Sequence, residues 1–357
     1  MHLPSRRELS RSDVFVYVIL LAARDMACSR AFAFMVSVTP YGFGKRFMRI
    51  HGRGAIRMSG VLSEIHKLAG CSVCAVIVSY NPPLEILGNM AALRSQVRSI
   101  VVVDNGSSEQ NLAMLRDGQS KYDFKLIENG CNLGIAAALN VGVREVKARG
   151  CCWAALFDQD SRVEPGFIDL MLDVLEDAPN PLQVGIVCPL YVDRQNGMVL
   201  PILRSKEGEI LSAMTSGSLI PVKLFDQLGT FNETLFLDYV DIEFCLRSRR
   251  AGYRIVQSPR AVLYHSQGRM TLHRLAGRWF ASTNHSAARR YYITRNRLWV
   301  LGRFFGDWAW SPKEARSMIL ETIKIVLVEP DRLKKLKNTV LGLADALRGR
   351  MGKRFDL

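Results

Sequence analysis

From residue 73 onward, short apolar runs of strand length alternate with stretches of helical spacing, and this alternation restricts the chain to very few folds. Runs at 73–78, 99–103, 124–128 and 153–157 read as strands, and the stretches 84–96, 111–118, 135–149 and 167–176 read as helices. Strand and helix in strict turn imply an α/β fold with a mostly parallel central sheet and helices on both faces. Open sheets of this kind bind ligands beyond the carboxyl ends of their strands. Three polar clusters stand there: Ser79-Tyr80-Asn81, Asp104-Asn105-Gly106-Ser107-Ser108 and Asp158-Gln159-Asp160-Ser161. They are expected to converge on one crevice.

The first strand runs into Asn81-Pro82-Pro83, with no glycine cradle for phosphate, so a dinucleotide fold and a P-loop are both disfavoured. Asp158 and Asp160 alternate at a strand end, and carboxylate oxygens suit a hard divalent cation such as Mg²⁺ or Mn²⁺. Taken alone, the same pattern is more often a polar turn with an aspartate helix cap. A second group of carboxylates, Asp238, Asp241 and Glu243, precedes an apolar helical face beside Phe236 and Tyr239. Acidic residues favour helix starts, yet crowding near aromatic rings can raise a carboxyl pKa and keep a base available near neutrality. His265 ends another apolar run as a lone imidazole, which is more often structural than a ligand.

Charge divides the chain into three. The net +15 resolves into +7 over residues 1–57, −3 over 58–269 and +11 over 270–357. A slightly acidic centre does not grip a polyanion along a basic groove, and only 289–299 interleaves aromatic with basic residues, so nucleic acid is an unfavoured partner. The leader has a basic start and a short apolar run at 14–23, about half the roughly 20 residues a spanning helix needs. It lacks a small-residue cleavage site. Met58 shortly before the first strand suggests that 1–57 are a disordered extension or an over-long start. Eight cysteines without a regular framework suggest reduced thiols in a cytoplasmic protein, with Cys71-Ser-Val-Cys74 a half-buried strand edge. In the tail, Leu333, Leu336, Val340, Leu343, Leu347 and Met351 fall on one helical face among lysines and arginines. Such a face packs on the core, meets an oligomer partner or lies peripherally on an anionic membrane surface.

Together these motifs resemble the family 2 glycosyltransferases of the GT-A fold, and within them the bacterial rhamnosyltransferase-like enzymes. The matching residues run in order through Val76-Ile-Val-Ser-Tyr-Asn81, Val102-Val-Asp-Asn-Gly-Ser107, Asn132-Leu-Gly-Ile-Ala-Ala-Ala-Leu-Asn140, Phe157-Asp-Gln-Asp-Ser161, Thr215-Ser-Gly-Ser-Leu-Ile220, the 238–247 run, and His265 with Gly268. Arg290-Tyr-Tyr-Ile-Thr-Arg-Asn-Arg297 and Gly349-Arg-Met-Gly352 point to the rhamnosyltransferase branch, whereas residues 1–57 have no counterpart in the family. The resemblance implies a catalytic domain at 58–269 and a basic helical region at 270–357. It implies inverting transfer of L-rhamnose from dTDP-L-rhamnose, or of another sugar from a donor such as a UDP-sugar, to a lipid-linked saccharide of an O-antigen-like polysaccharide. By the same resemblance Ser79, Tyr80, Asn81, Asp104, Gly134, Asn140 and Asp158 bind the donor, while Asp158, Asp160 and His265 hold Mg²⁺ or Mn²⁺. Asp241 is then the general base, and Tyr239 and Glu243 meet the acceptor. A non-catalytic sugar-nucleotide scaffold is the alternative that only activity excludes.

Overall fold

The computed structural model describes residues 72–265, 271–275, 278–307 and 309–355. The expectations for the 1–57 extension, Met58, Cys71 and Gly268 therefore lie outside the described residues. The anticipated alternation is present: β1 (Val73–Ser79), α1 (Glu85–Arg94), β2 (Ser99–Asp104), α2 (Glu109–Tyr122), β3 (Phe124–Glu128), α3 (Ile135–Ala148), β4 (Trp153–Asp158), β5 (Arg162–Val163) and α4 (Phe167–Asp173). Then come β6 (Val184–Asp193), β7 (Leu219–Pro221), α5 (Val222–Leu228), α6 (Val240–Arg250) and β8 (Arg254–His265). A hairpin of β9 (Thr271–Leu275) and β10 (Arg278–Ser282) leads to α7 (Ala287–Arg303), α8 (Ser311–Leu327) and α9 (Arg332–Arg348).

The main sheet has eight strands in the order β3-β2-β1-β4-β7-β6-β8-β5. Its first four strands are parallel, with Ser79 in register with Asp104 and Val78 with Asp158, so the polar ends of β1, β2 and β4 share one edge. β1 is buried along its whole length, as a strand covered on both faces must be, which explains why it reads as an unbroken apolar run. Gly142 lets α3 lie close on this strand, since a Cβ there would come within 2.2 Å of the Val76 side chain.

One expectation needs correction. Cys74 is fully buried in a central strand, with no half-buried edge, and it is joined to Cys151 by a disulfide with Cα atoms 6.1 Å apart, against the expectation of reduced thiols. The Cys152 N–H donates to the Ser72 carbonyl at 3.0 Å, and this holds residue 151 beside the start of β1. In the tail, the apolar stripe of α9 is not its buried face: Leu333, Val340 and Leu347 are exposed, and the helix buries Lys335, Gly342, Asp345 and Ala346. Close approach decides this orientation, because a Cβ at Gly342 would lie 2.6 Å from the Tyr291 carbonyl oxygen, so α9 crosses α7 at its glycine. Among the described residues no helix is long and apolar enough to cross a membrane.

Candidate active site

Pairing at the far edge of the sheet assembles the first half of the site. Arg162 of β5 pairs antiparallel with Tyr264 of β8, which folds the Asp158–Ser161 turn back beside His265. The turn is fixed from several sides. The Asp158 N–H donates to Ser216 Oγ at 3.2 Å, the Tyr80 N–H donates to Gln159 Oε1 at 2.7 Å, and Arg194 donates to the Asp160 carbonyl at 3.0 Å. Ligand atoms of Asp158, Asp160 and His265 consequently lie within 4.8 Å of one another. His265 Nδ1 is buried without a hydrogen-bond partner and stands 3.6 Å from Asp160 Oδ1. Burial raises the Asp158 carboxyl pKa; at Asp160 burial acts the same way, but the adjacent His265 outweighs it and the net shift is downward. One orphaned imidazole nitrogen facing two carboxylates fits a divalent cation such as Mn²⁺ or Mg²⁺.

The second half is the turn before α6. Phe236, Asp238 and Tyr239 all have positive φ, +62°, +62° and +66°. Side-chain-bearing residues avoid this region, at a cost of order 1–3 kcal/mol each, so surrounding structure must hold them there. It does so from two directions. The Ile135 N–H donates to the Phe236 carbonyl at 2.8 Å, and Gly134 permits the contact because a Cβ there would come within 2.6 Å of that oxygen. From α7, Asn296 Nδ2 donates to the carbonyls of Leu235, Leu237 and Asp238 at 2.8, 2.7 and 3.0 Å, and Arg295 donates to the Leu235 carbonyl at 3.0 Å.

The strained turn presents Asp241 to a cavity of about 410 Å³ that Asp158 and His265 also line, so base candidate and metal candidates face one space. Burial, reinforced by Asp238, pushes the Asp241 carboxyl up to about 6, where it is largely ionised at neutral pH yet basic enough to accept a proton. Arg289 forms a bidentate pair with Asp238 at 2.9–3.2 Å and lines the same cavity. His285, also on its wall, is pushed down to about 4 by burial and by Arg289 and so stays neutral.

The remaining expected contacts divide sharply. Ser79, Asn81 and Asp104 do meet, at a rim where the Asp104 carboxylate accepts from Ser79 Oγ, the Ser107 hydroxyl and the N–H groups of Gly106 and Ser107. Asn81 Oδ1 accepts from the Ser108 N–H at 2.8 Å, and the Tyr80 ring is exposed. Asp104 is fully buried and thus holds the 104–108 turn. Asn140 and Glu243 do not reach the cavity, and Tyr239 reaches it without its polar group. Asn140 is fully buried, exchanging hydrogen bonds at 2.9 Å with the Phe231 main chain and donating to Glu233. Glu243 is buried with both oxygens on Arg247, which ties down the carbonyls of Leu228, Gly229 and Thr230. Tyr239 lines the cavity with its ring, but its hydroxyl is buried between Glu314 and Arg297.

Arg297 begins a buried chain of ion pairs, Glu314–Arg297–Glu321–Arg290–Glu329–Lys335, with links of 2.8–3.0 Å. Three cations balance three carboxylates and fasten α7, α8 and α9 to the Tyr239 side of the cavity. Sequence reading missed Arg289, His285, Asn296 and Arg297 as parts of the site. The signal available was the polar density of 289–297, rich in Arg, Asn and Thr although the helix buries 290–297 without a break. An Asn296→Ala variant is expected to keep donor affinity within about twofold and lose about tenfold or more in turnover, since buried hydrogen bonds worth about 1–3 kcal/mol each no longer hold the turn. Parallel ligand titration and initial rates check this.

A strand end able to hold a cation under a diphosphate, facing a helix start able to take a proton, defines the class of nucleotide-sugar transferases built on the GT-A fold. Comparison with known proteins agrees with that class. Residues 74–215 match the family described as Glycosyl transferase family 2. A dTDP-rhamnosyl transferase, RfbF of Shigella flexneri, is 31% identical over 297 residues, covering 79% of this chain and 97% of that protein. An N-acetylglucosaminyl-diphospho-decaprenol L-rhamnosyltransferase of Mycobacterium tuberculosis is 25% identical over 56% of this chain and 76% of its own length. S. aureus TarS 1–349, solved with UDP-GlcNAc, shares the fold at a TM-score of 0.50 and 16% identity, over 77% of this chain and 80% of that one. The chain belongs to glycosyltransferase family 2 and is a glycosyltransferase.

Proposed function

We propose that this enzyme transfers L-rhamnose from dTDP-L-rhamnose, with inversion and with the help of Mg²⁺ or Mn²⁺, to a lipid-linked saccharide destined for a surface polysaccharide of O-antigen type. The observation that carries the reading is the shared cavity in which Asp241 faces Asp158 and His265. Its support for rhamnose is the likeness to RfbF over nearly that protein's whole length. The second relative's name places a sugar on a polyprenyl diphosphate, which supports a lipid-linked acceptor.

In this reading Asp158, Asp160 and His265 hold the divalent cation, which when bound neutralises charge on the diphosphate leaving group. The rim of Asn81 and residues 106–108, held from beneath by Ser79 and Asp104, receives the nucleoside. Asp241 takes the proton from an acceptor hydroxyl as that oxygen attacks the anomeric carbon from the face opposite the diphosphate, which inverts the centre. Arg289 engages both oxygens of Asp238 and so leaves Asp241 to take that proton. The expected division at residue 269 becomes one between a donor side and an acceptor side. Exposed Leu333, Val340 and Leu347, set among the lysines of α9, support a peripheral position on the cytoplasmic membrane face.

A thermal-shift panel of dTDP-, UDP- and GDP-sugars with Mn²⁺ tests the donor, because a ligand at 100 times its Kd stabilises the fold by about 2.7 kcal/mol. The largest shift is expected with dTDP-L-rhamnose. A larger shift with a UDP-sugar would replace rhamnose by that sugar.

A further inference from the structure

Beside the acceptor side of the cavity lies a second recess, of about 300 Å³, between β10 and α8. It shares Thr283 and Glu321 with the cavity that holds Asp241, so the two spaces adjoin. At its base is Arg290, 3% exposed, whose Nε has no hydrogen-bond partner. The charges beneath are already neutral within the buried chain of pairs, but the lining also carries Lys313, Arg316 and Lys324, and none of these makes an ion pair among the described residues. Lys313 donates to the Arg204 carbonyl and Lys324 to the Ala281 carbonyl at 2.8 Å, neutral acceptors that leave each ammonium further donors. Three cations without an ion-pair partner among the described residues, gathered around one concavity, favour a multiply charged oxyanion.

A second observation narrows the anion. Leu320 lines the recess, and with Ile323 and Leu327 it forms an exposed apolar strip one helical face wide along α8, the three being 43%, 45% and 55% exposed. Charge and apolar surface therefore meet at one point. We propose that the recess binds the phosphate or diphosphate ester of the acceptor's lipid carrier, with the hydrocarbon leaving over Leu320, Ile323 and Leu327 and the attached sugar entering the Asp241 cavity. This rests on the reading of the enzyme as acting on a lipid-linked acceptor.

The test titrates the full chain with farnesyl diphosphate, farnesol and inorganic pyrophosphate in chelator, so that no divalent ion recruits diphosphate to Asp158 and Asp160. Farnesyl diphosphate is expected to bind at least tenfold more tightly than either other probe. The triple variant Lys313→Gln, Arg316→Gln, Lys324→Gln is expected to lose at least tenfold, while Lys334→Gln with Lys337→Gln on α9 stays within twofold. Unchanged dTDP binding with Mn²⁺ reports that the triple variant is folded; should it not be, Arg316→Gln alone, which breaks no ion pair, is expected to lose at least threefold. Equal binding of pyrophosphate and farnesyl diphosphate, equal loss in the α9 variant, or wild-type affinity in the triple variant would overturn the proposal. Failure of every sugar nucleotide to turn over, with farnesyl diphosphate binding intact, would instead overturn the transferase reading and leave the recess standing.

Discussion

Replacing Asp241 by Asn is expected to lower turnover by about 10³-fold, within the range that a positioned general base contributes, while the Kd for dTDP with Mn²⁺ stays within about twofold. Asparagine keeps the shape and the hydrogen bond from the Ile242 N–H to the side-chain oxygen, 2.8 Å in the wild type, so the loss isolates proton acceptance. Two further measurements bind the result to the geometry. Because burial holds the Asp241 carboxyl up at about 6, the wild-type rate should rise with pH through a midpoint near 6 and level off above it. Stability should move the other way. A carboxyl whose folded pKa exceeds its unfolded one favours folding while protonated, and that contribution is lost as pH rises through about 6. Ionised Asp241 therefore destabilises the fold at pH 8, by at most about 3 kcal/mol for a shift of this size. Asp241→Asn should melt several degrees higher than wild type at pH 8 and by little at pH 4.5, a trade of stability for function.

The second large effect is expected at Asp160. Asp160→Ala removes one of three ligand atoms held within 4.8 Å of one another, and should weaken Mn²⁺-supported dTDP binding and turnover together by about 10²-fold or more. That pattern, binding and rate falling in step, differs from the rate-only loss at Asp241 and separates the two halves of the site. Since Asp160 is only part-buried and its carbonyl contact to Arg194 is main-chain, the variant should fold normally. Retention of wild-type affinity and metal dependence would remove Asp160 from the site.

The donor half of the fold was legible because each of its strands is local: an apolar run, a polar end and a helix-length return. Element bounds at β1, β3 and α3 differ from expectation by at most a residue. The rest of the site was not, because its logic is long-range. Nothing near His265 announces that β8 runs parallel to β6 and pairs with β5, yet that pairing brings the imidazole to Asp160. Likewise Asn140 carries the polar chemistry of a ligand contact but is consumed by the main chain at Phe231, 91 residues away, whereas Glu243 is taken by a local partner, Arg247, one helical turn on. The tail left open which way its apolar face turns, for a different reason. Its hydrophobic period was real, but close crossing at Gly342 and the ion-pair chain through Arg297, Arg290 and Lys335 set which face is buried, and neither has an apolar signature. The chain of pairs is balanced within itself, so the net +11 of residues 270–357 is carried by other side chains, the cations around the recess of α8 among them.

The most direct test of the account is the initial rate of dTDP release from dTDP-L-rhamnose as free Mn²⁺ is varied, with wild type and Asp241→Asn measured side by side. The predicted result is saturable activation of the wild type by the metal, and an Asp241→Asn enzyme that binds dTDP with the same metal dependence but does not release it from the sugar. Full wild-type release in excess chelator, or wild-type rates from Asp241→Asn, would contradict it.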